Sequence, residues 1–394
     1  MDTFGNPKIK SGEIEEAMDF CLNQVINNLP KFTYKFQNAY SVDGFYQEID
    51  NTDWTCGFWT GELWLSYEWA LEHERTDEAN KLHEAAKIQV ESFYQRIKNK
   101  VAVDHHDMGF LYTPSCVAAY KLTKDERAKE AAIMAADQLI TRFHGVGNFI
   151  QAWGSMDEPE NYRLIIDCLL NLPLLYWATE VTGDNKYRDI AQKHIQTAVD
   201  NVIREDYSTW HTFYFDINTG KPSHGSTCQG YQDGSAWARG QAWGVYGMAC
   251  AYRYTREEES IEKFDGVLQY FLNHLPQDLI PYWDLEFTDG DQQPKDSSSA
   301  SIVACGLLEM AKYVSDEKAA EYMAIAGCLL KSLYDNYQVK DVNKSNGLVL
   351  HSTYSNHSPY NTCNHYGVDE CNSWGDYFYM EALTRMSKDW NQYW

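Results

Sequence analysis

The chain has 394 residues, 44% of them hydrophobic, which suffices for one large core or two ordinary ones and argues against disorder. Lys and Arg number 33 against 57 Asp and Glu, a formal charge of −24, and no basic run offsets it, so a nucleic-acid partner is not expected. No stretch is long and apolar enough to span a bilayer, and the ten cysteines are scattered without a C-x-x-C pair. A cytoplasmic, soluble protein with reduced thiols and no membrane partner is therefore expected.

In chain order, charged amphipathic helices are expected at about 12–29, 77–98, 125–143, 185–204, 257–274 and 316–337. They alternate with segments rich in aromatic and small residues at 59–73, 109–122, 161–181, 235–254, 297–314 and 373–387. The turn from each aromatic segment into the next charged one recurs, as in Leu122-Thr123-Lys124-Asp125 and Val314-Ser315-Asp316-Glu317. Thr or Ser followed by acids is helix N-cap chemistry. Six such pairs, with the less charged helix inside, fit an all-α (α/α)6 barrel of six helix hairpins. No linker divides the chain, so residues 1–394 are expected to form one catalytic domain. The links from charged to aromatic helices are long (30–58, 99–108, 144–160, 205–234, 275–296 and 338–372), and long loops at one end of a rigid scaffold tend to carry the site. Within one of them, Trp210 to Asp216 followed by Asn218-Thr219-Gly220 reads as a strand and turn.

The stretch from Tyr162 to Trp177 places Asp167 in an apolar run. Read as a helix, it sets Arg163, Asp167 and Asn171 on one polar stripe at i, i+4 and i+8. The stripe is either a solvated ion pair or a partly desolvated carboxylate whose raised pKa suits proton exchange near neutral pH. Asp107, after His105 and His106, is either the N-cap of an inner helix or a second carboxylate at the barrel mouth. Adjacent histidines diverge and no H-x-x-x-H or H-E-x-x-H spacing occurs, so no metal is expected. Arg239 and Trp243, at i and i+4, suit a carboxylated sugar, a fork for the carboxylate and a flat face for the ring. Trp59 and Trp153 are further candidates for stacking walls. The chain lacks a G-x-S-x-G, a P-loop or a dinucleotide fingerprint, which leaves chemistry to carboxylates, His, Gln and Arg.

Five stretches, His105 to Tyr112, Tyr162 to Asn171, His211 to Asp216, Ser235 to Gly244 and Trp374 to Tyr379, resemble unsaturated glucuronyl hydrolases, glycoside hydrolase family 88. The resemblance runs in order through nearly the whole chain. It implies a hydrolase that releases the terminal unsaturated uronate from lyase-generated glycosaminoglycan oligosaccharides by hydrating the C4=C5 double bond, in place of the two-carboxylate attack at the anomeric carbon. By motif it implies Asp167 as acid/base, Asp107 as the carboxylate that tunes it, and His211 and Gln229 as water-orienting groups. His106 and Arg239 would contact the uronate, Trp59, Trp153 and Trp243 would line the subsites, and no metal or organic cofactor is implied. The runner-up is the related unsaturated rhamnogalacturonyl hydrolases, acting on pectin fragments.

Two departures concern sulfate. Family members favouring sulfated disaccharides carry a Ser-x-x-Ser-x-Lys pattern near the C-terminus and an Arg just before the water-orienting Gln. Here Ser355 and Ser358 are kept, but Tyr360 stands in place of the Lys and Cys228 in place of the Arg. The pattern expected for a sulfate preference is thus incomplete.

Overall fold

The computed structural model describes residues 6–394. Its helices are α1 (Ser11–Phe32), α2 (Cys56–Glu72), α3 (Thr76–Lys98), α4 (Met108–Tyr112), α5 (Ala118–Thr123), α6 (Glu126–Ile140), α7 (Pro173–Thr182), α8 (Lys186–Val202), α9 (Ala238–Thr255), α10 (Glu258–Asn273), α11 (Ser297–Met310), α12 (Asp316–Ser332) and α13 (Ser373–Ser387). The charged ones bury a single face: α3 sinks Ala79, Leu82, Ala86, Val90 and Phe93 and keeps its acids and lysines outside. By contrast α11 is buried along its whole length. That difference sorts the helices into an outer and an inner layer.

The inner ring closes on itself. Helix α2 packs on α13 and α4, α4 on α7, the turn 166–170 on α9, α9 on α11, and α11 on α13. Outside it stand α1, α3, α6, α8, α10 and α12, which completes an (α/α)6 barrel. The repeated turns cap as expected at two places: Asp125 accepts from the backbone N–H of Arg127 and Ala128, and Ser315 accepts from Lys318 N–H.

Two inner segments differ from a plain helix. The expected helix 109–122 is interrupted by a π turn at Thr113–Val117, where Pro114 supplies no N–H to the ladder. The expected helix 161–181 is corrected more deeply. Its first half is the strand β5 (Arg163–Ile165) followed by a 3-10 turn over Ile166–Leu170, and the α-helix begins only at Pro173. Proline is tolerated at the first position of a helix and not inside one, so the helix could not run back through it. Ile166 N–H turns instead to His211 O at 3.1 Å.

Four of the long links carry short strands at the end of the barrel where outer helices hand over to inner ones. β1 (Phe36–Val42) pairs with β2 (Phe45–Ile49), and β3 (Phe143–His144) with β4 (Phe149–Ile150). β5 joins β6 (Thr212–Phe215) and β7 (Pro222–Ser226) in a three-stranded sheet, and β8 (Ser352–Ser355) pairs with β9 (Tyr366–Glu370). All pairings are antiparallel. The strand and turn expected near 210–220 are β6 and the Asp216 turn, whose carboxylate accepts from Asn218 and Thr219 N–H.

The opposite end is filled. Trp394 is fully buried, stacks on Phe378 with ring centroids 5.8 Å apart, meets Phe110, and donates from Nε1 to Glu381 Oε2 at 2.6 Å. Beside it Arg385 pairs with both Glu309 and Glu381. Buried charges hold such a place only when paired and hydrogen-bonded. Among the described residues no helix is long and apolar enough to cross a membrane.

Candidate active site

The loops at the strand-bearing end surround a cavity of about 620 Å³. Asp107, Trp153, Asp167, His211, Gln229, Arg239 and Trp243 all line it, although they come from six separate stretches of chain. Strand β5 explains Asp167's place. Arg163, Ile165 and Asp167 face the cavity in turn while Leu164 and Ile166 point into the core, which is the two-residue period of a strand. No ion pair forms between Arg163 and Asp167; Nη1 of Arg163 donates to Asn161 Oδ1 at 3.1 Å and Glu160 O at 3.3 Å.

At the cavity floor His106 stands between the two acids, its Nε2 3.3 Å from Asp107 Oδ1 and 3.5 Å from Asp167 Oδ1. The imidazole is fully buried and neither ring nitrogen has a directed hydrogen bond. Burial pushes its pKa down to about 4 against the pull of Asp107, so the ring is neutral near pH 7. The acids diverge. Burial raises both, but His106, His105 and Asn171 outweigh it at Asp107 and hold that carboxyl below its ordinary range. At Asp167 burial and the Asp107 charge together push the pKa well up, against Arg239 and the turn's own N–H groups. Asp167 Oδ1 has no hydrogen-bond partner. The two carboxyls are thus pushed apart, Asp167 upward and Asp107 downward, the kind of split on which acid–base catalysis rests.

Asn171 splints the pair. Its Oδ1 accepts from Phe110 N–H at 2.8 Å and its Nδ2 donates to Asp167 O at 3.3 Å. It is reached because Gly109 has no side chain. His105 stacks flat against Trp153 with centroids 4.2 Å apart, so one face of that indole is taken and the edge toward the cavity remains. Arg142, wholly buried, ties Asp104 Oδ1 to Gln151 O and Gly154 O and so joins the Asp107 loop to the Trp153 loop.

On the far wall His211 Nδ1 accepts from Cys228 N–H at 3.0 Å and Gln229 N–H at 3.2 Å. The proton of this neutral ring therefore sits on Nε2. Burial, reinforced by Arg239, pushes its pKa down to about 3. Gln229 Oε1 accepts from Arg239 Nη2 at 3.2 Å. Arg239 also donates to Asp296 Oδ2, Thr353 O and Tyr354 O and lies over Trp237 and Trp374. Its forked end is thus spent on the protein.

Four expected site residues lie off the cavity: Trp59, Ser355, Ser358 and His106, the last wholly buried against Asp107 and Asp167. Trp59 is fully buried among Phe32 and its neighbours and donates to Phe32 O at 2.9 Å; an inner helix apolar all round needs core on its outward face too. Ser355 and Ser358 are buried, their hydroxyls donating to Asn364 O and Tyr231 O, which braces the loop that presents Tyr360. Trp54, Trp237 and Tyr354 line the cavity and escaped a reading guided by charged groups. Their signal was only that aromatics gather in the same loops.

No metal-binding spacing occurs along the chain, yet the fold brings ligand atoms of His106, Asp107 and Asp167 within 4.8 Å of one another. A metal-ligating imidazole normally has its other nitrogen held by an acceptor. Nδ1 of His106 has none, so the trio suits proton exchange better than ligation.

A family model described as Glycosyl Hydrolase Family 88 matches residues 28–388. The chain belongs to glycoside hydrolase family 88. It is 47% identical over 390 residues to the unsaturated chondroitin disaccharide hydrolase of Streptococcus pneumoniae, covering 98% of this chain and 95% of that protein. It is 39% identical over 383 residues to the unsaturated glucuronyl hydrolase of a Bacillus species, covering 96% and 98%. The crystal structure of unsaturated glucuronyl hydrolase from Streptococcus agalactiae superposes with a TM-score of 0.93 at 46% identity, over 100% of this chain and 96% of that one. A variant of the same streptococcal enzyme, 43% identical with a TM-score of 0.85 over 100% and 96%, is complexed with dGlcA-GalNAc6S. The chain is therefore a glycoside hydrolase, and this cavity is the candidate for its active site.

Proposed function

We propose that the enzyme releases the terminal 4,5-unsaturated uronate from lyase-generated glycosaminoglycan oligosaccharides by hydrating its C4=C5 bond. The observation that carries this reading is two adjacent carboxyls with opposite shifts, Asp167 pushed well up by burial and by Asp107, and Asp107 held below its ordinary range, in a cavity of sugar size. The names and bound ligand of the relatives support the substrate class.

Asp167 gives its proton to C4, and positive charge gathers at C5 and O5. The neighbouring Asp107 anion stabilises that charge. Water then adds at C5 and passes a proton to the Asp167 carboxylate, which restores the acid. His211 Nε2–H and the Gln229 amide hold this water from the opposite wall. The C5 hemiketal opens to a ketone, which leaves a hemiacetal at C1 that expels the neighbouring sugar. In sum one water is consumed. Asp107 engages ring hydroxyls with His106 bracing it from behind, and Trp153 and Trp243 flank the sugar. Arg239, its terminal nitrogens engaged by the protein, supplies positive charge to the wall beside the uronate. No organic cofactor enters these steps. The ten cysteines are unpaired and nine are buried, which supports a reducing, cytoplasmic setting.

The test is loss of the C4=C5 ultraviolet absorbance with an unsaturated chondroitin disaccharide. Activity confined to an unsaturated pectin disaccharide would overturn the substrate, and sugar release with the absorbance retained would overturn the mechanism.

A further inference from the structure

Two cations line the cavity, Arg163 and Arg239, and they are not equally free. Both terminal nitrogens of Arg239 are engaged, Nη1 by Asp296 and Thr353 O, Nη2 by Gln229 and Tyr354 O. At Arg163 only Nη1 is engaged, so Nη2 and Nε keep their protons for another acceptor. Its guanidinium leans over the Tyr214 ring, 5.8 Å from the centroid, and the strand period turns it toward the cavity two residues before Ile165 and four before Asp167. Its charge is felt by both His106 and His211, on opposite walls. Among the described residues the lining offers no other Lys or Arg, and Cys228, Asp233 and Tyr360 are part of it.

We propose that Arg163 reads the negative charge of the substrate, its unspent guanidinium edge taking an oxyanion of the bound sugar at the wall of the cavity. The identity of the sugar rests on the uronate reading above; the recognition of charge is a separate claim. Arg163 is held loosely enough to adapt, by one side-chain amide and one carbonyl, and a planar fork pairs with a carboxylate or sulfate through two parallel N–H···O bonds. Lysine, a point charge, would recover part of this. The oxyanion is either the carboxylate of the uronate or a sulfate on the leaving sugar, and substrate variants tell these apart.

The experiment measures equilibrium binding, by calorimetry, of an unsaturated chondroitin disaccharide, its uronate methyl ester and its 6-sulfated form. It uses Asp167→Asn protein with Arg163 intact, Arg163→Gln or Arg163→Lys, so no turnover is needed. Expected is about a tenfold loss of affinity for the free acid in Arg163→Gln, as for removal of one charge-assisted hydrogen-bonded pair. Arg163→Lys should recover part of it, and the ester should bind both backgrounds alike. A penalty that appears only with the sulfated sugar assigns Arg163 to the sulfate and still supports charge reading. Equal losses for acid and ester, with sulfated and unsulfated forms also alike, overturn it. Thermal melting of each variant separates these results from misfolding. Turnover of the parent, followed by absorbance, tests the uronate reading on its own.

Discussion

Gly109 packs so tightly on Asn171 that a Cβ at position 109 would stand 2.3 Å from the Asn171 Cα. The obstacle is backbone, which cannot swing aside, and the same asparagine fixes the turn that carries Asp167 and the N–H of Phe110. Gly109→Ala is therefore expected to cost about 1–3 kcal/mol of stability and to lower kcat by separating Asp107 from Asp167. Denaturant unfolding and steady-state kinetics check both parts, and a variant with parental kcat would show that the spacing of the acids is not critical.

Asp167→Asn is expected to fold and to lose about two to four orders of magnitude in kcat, the usual share of a general acid–base group. Circular dichroism and the absorbance assay on purified protein decide it. Parental turnover would remove Asp167 from the chemistry.

The same substitution has a thermodynamic consequence with a definite sign. The folded pKa of Asp167 lies well above that of an unfolded aspartate. As pH rises past the unfolded value the unfolded chain sheds this proton first, so the folded state binds more protons and stability falls until the folded pKa is passed. Asn has no proton to lose. The melting temperature of Asp167→Asn relative to the parent should thus climb with pH through that window and then level off. A parent that gains on the variant as pH rises would contradict the raised pKa.

Asp107 supplies part of the push on Asp167 by like charge. In Asp107→Asn the residual kcat/KM should therefore decline at a lower pH on its alkaline side than in the parent. The profile of residual activity against pH reads this directly. An alkaline limb that stays in place would mean that burial alone raises Asp167.

Tyr360 is 60% exposed and rests edge-on against Tyr231, and Cys228 is exposed beside it in the lining. Replacing them, as Tyr360→Lys with Cys228→Arg, costs little core packing. It should lower KM for a 6-sulfated unsaturated disaccharide about tenfold while leaving the unsulfated one nearly unchanged. An equal effect on both substrates would locate the sulfate elsewhere.

The barrel was legible because charge alternates between helices at the scale of whole segments, a pattern that tertiary packing enforces and does not override. The local form of the Asp167 segment was not. Apolar residues fill β5 and the following turn as densely as they would a helix, and periodicity cannot separate the two in so short a run; Pro173 was the available stop signal. Asp167 stands out as an acid in an apolar run and Asp107 as an acid at the start of an inner helix, but the opposite shifts of their pKa values depend on His106 and Asn171 meeting them in space. Trp59, Ser355 and Ser358 illustrate the converse. An aromatic or hydroxyl residue near a site motif carries no mark of which way its side chain points. Arg163 was legible as a member of the stripe and not as a cavity cation, because a helix and a strand give it different neighbours.

The packing of Trp394 against Phe110, which in turn supports Trp243 at 5.2 Å, makes the barrel a blind well. A polysaccharide cannot thread through it, so only a chain end can be presented to Asp167, and the freed uronate must back out by the way it entered. Because the double bond leaves with that sugar, the remaining chain ends in a saturated residue, and each oligosaccharide is cut once.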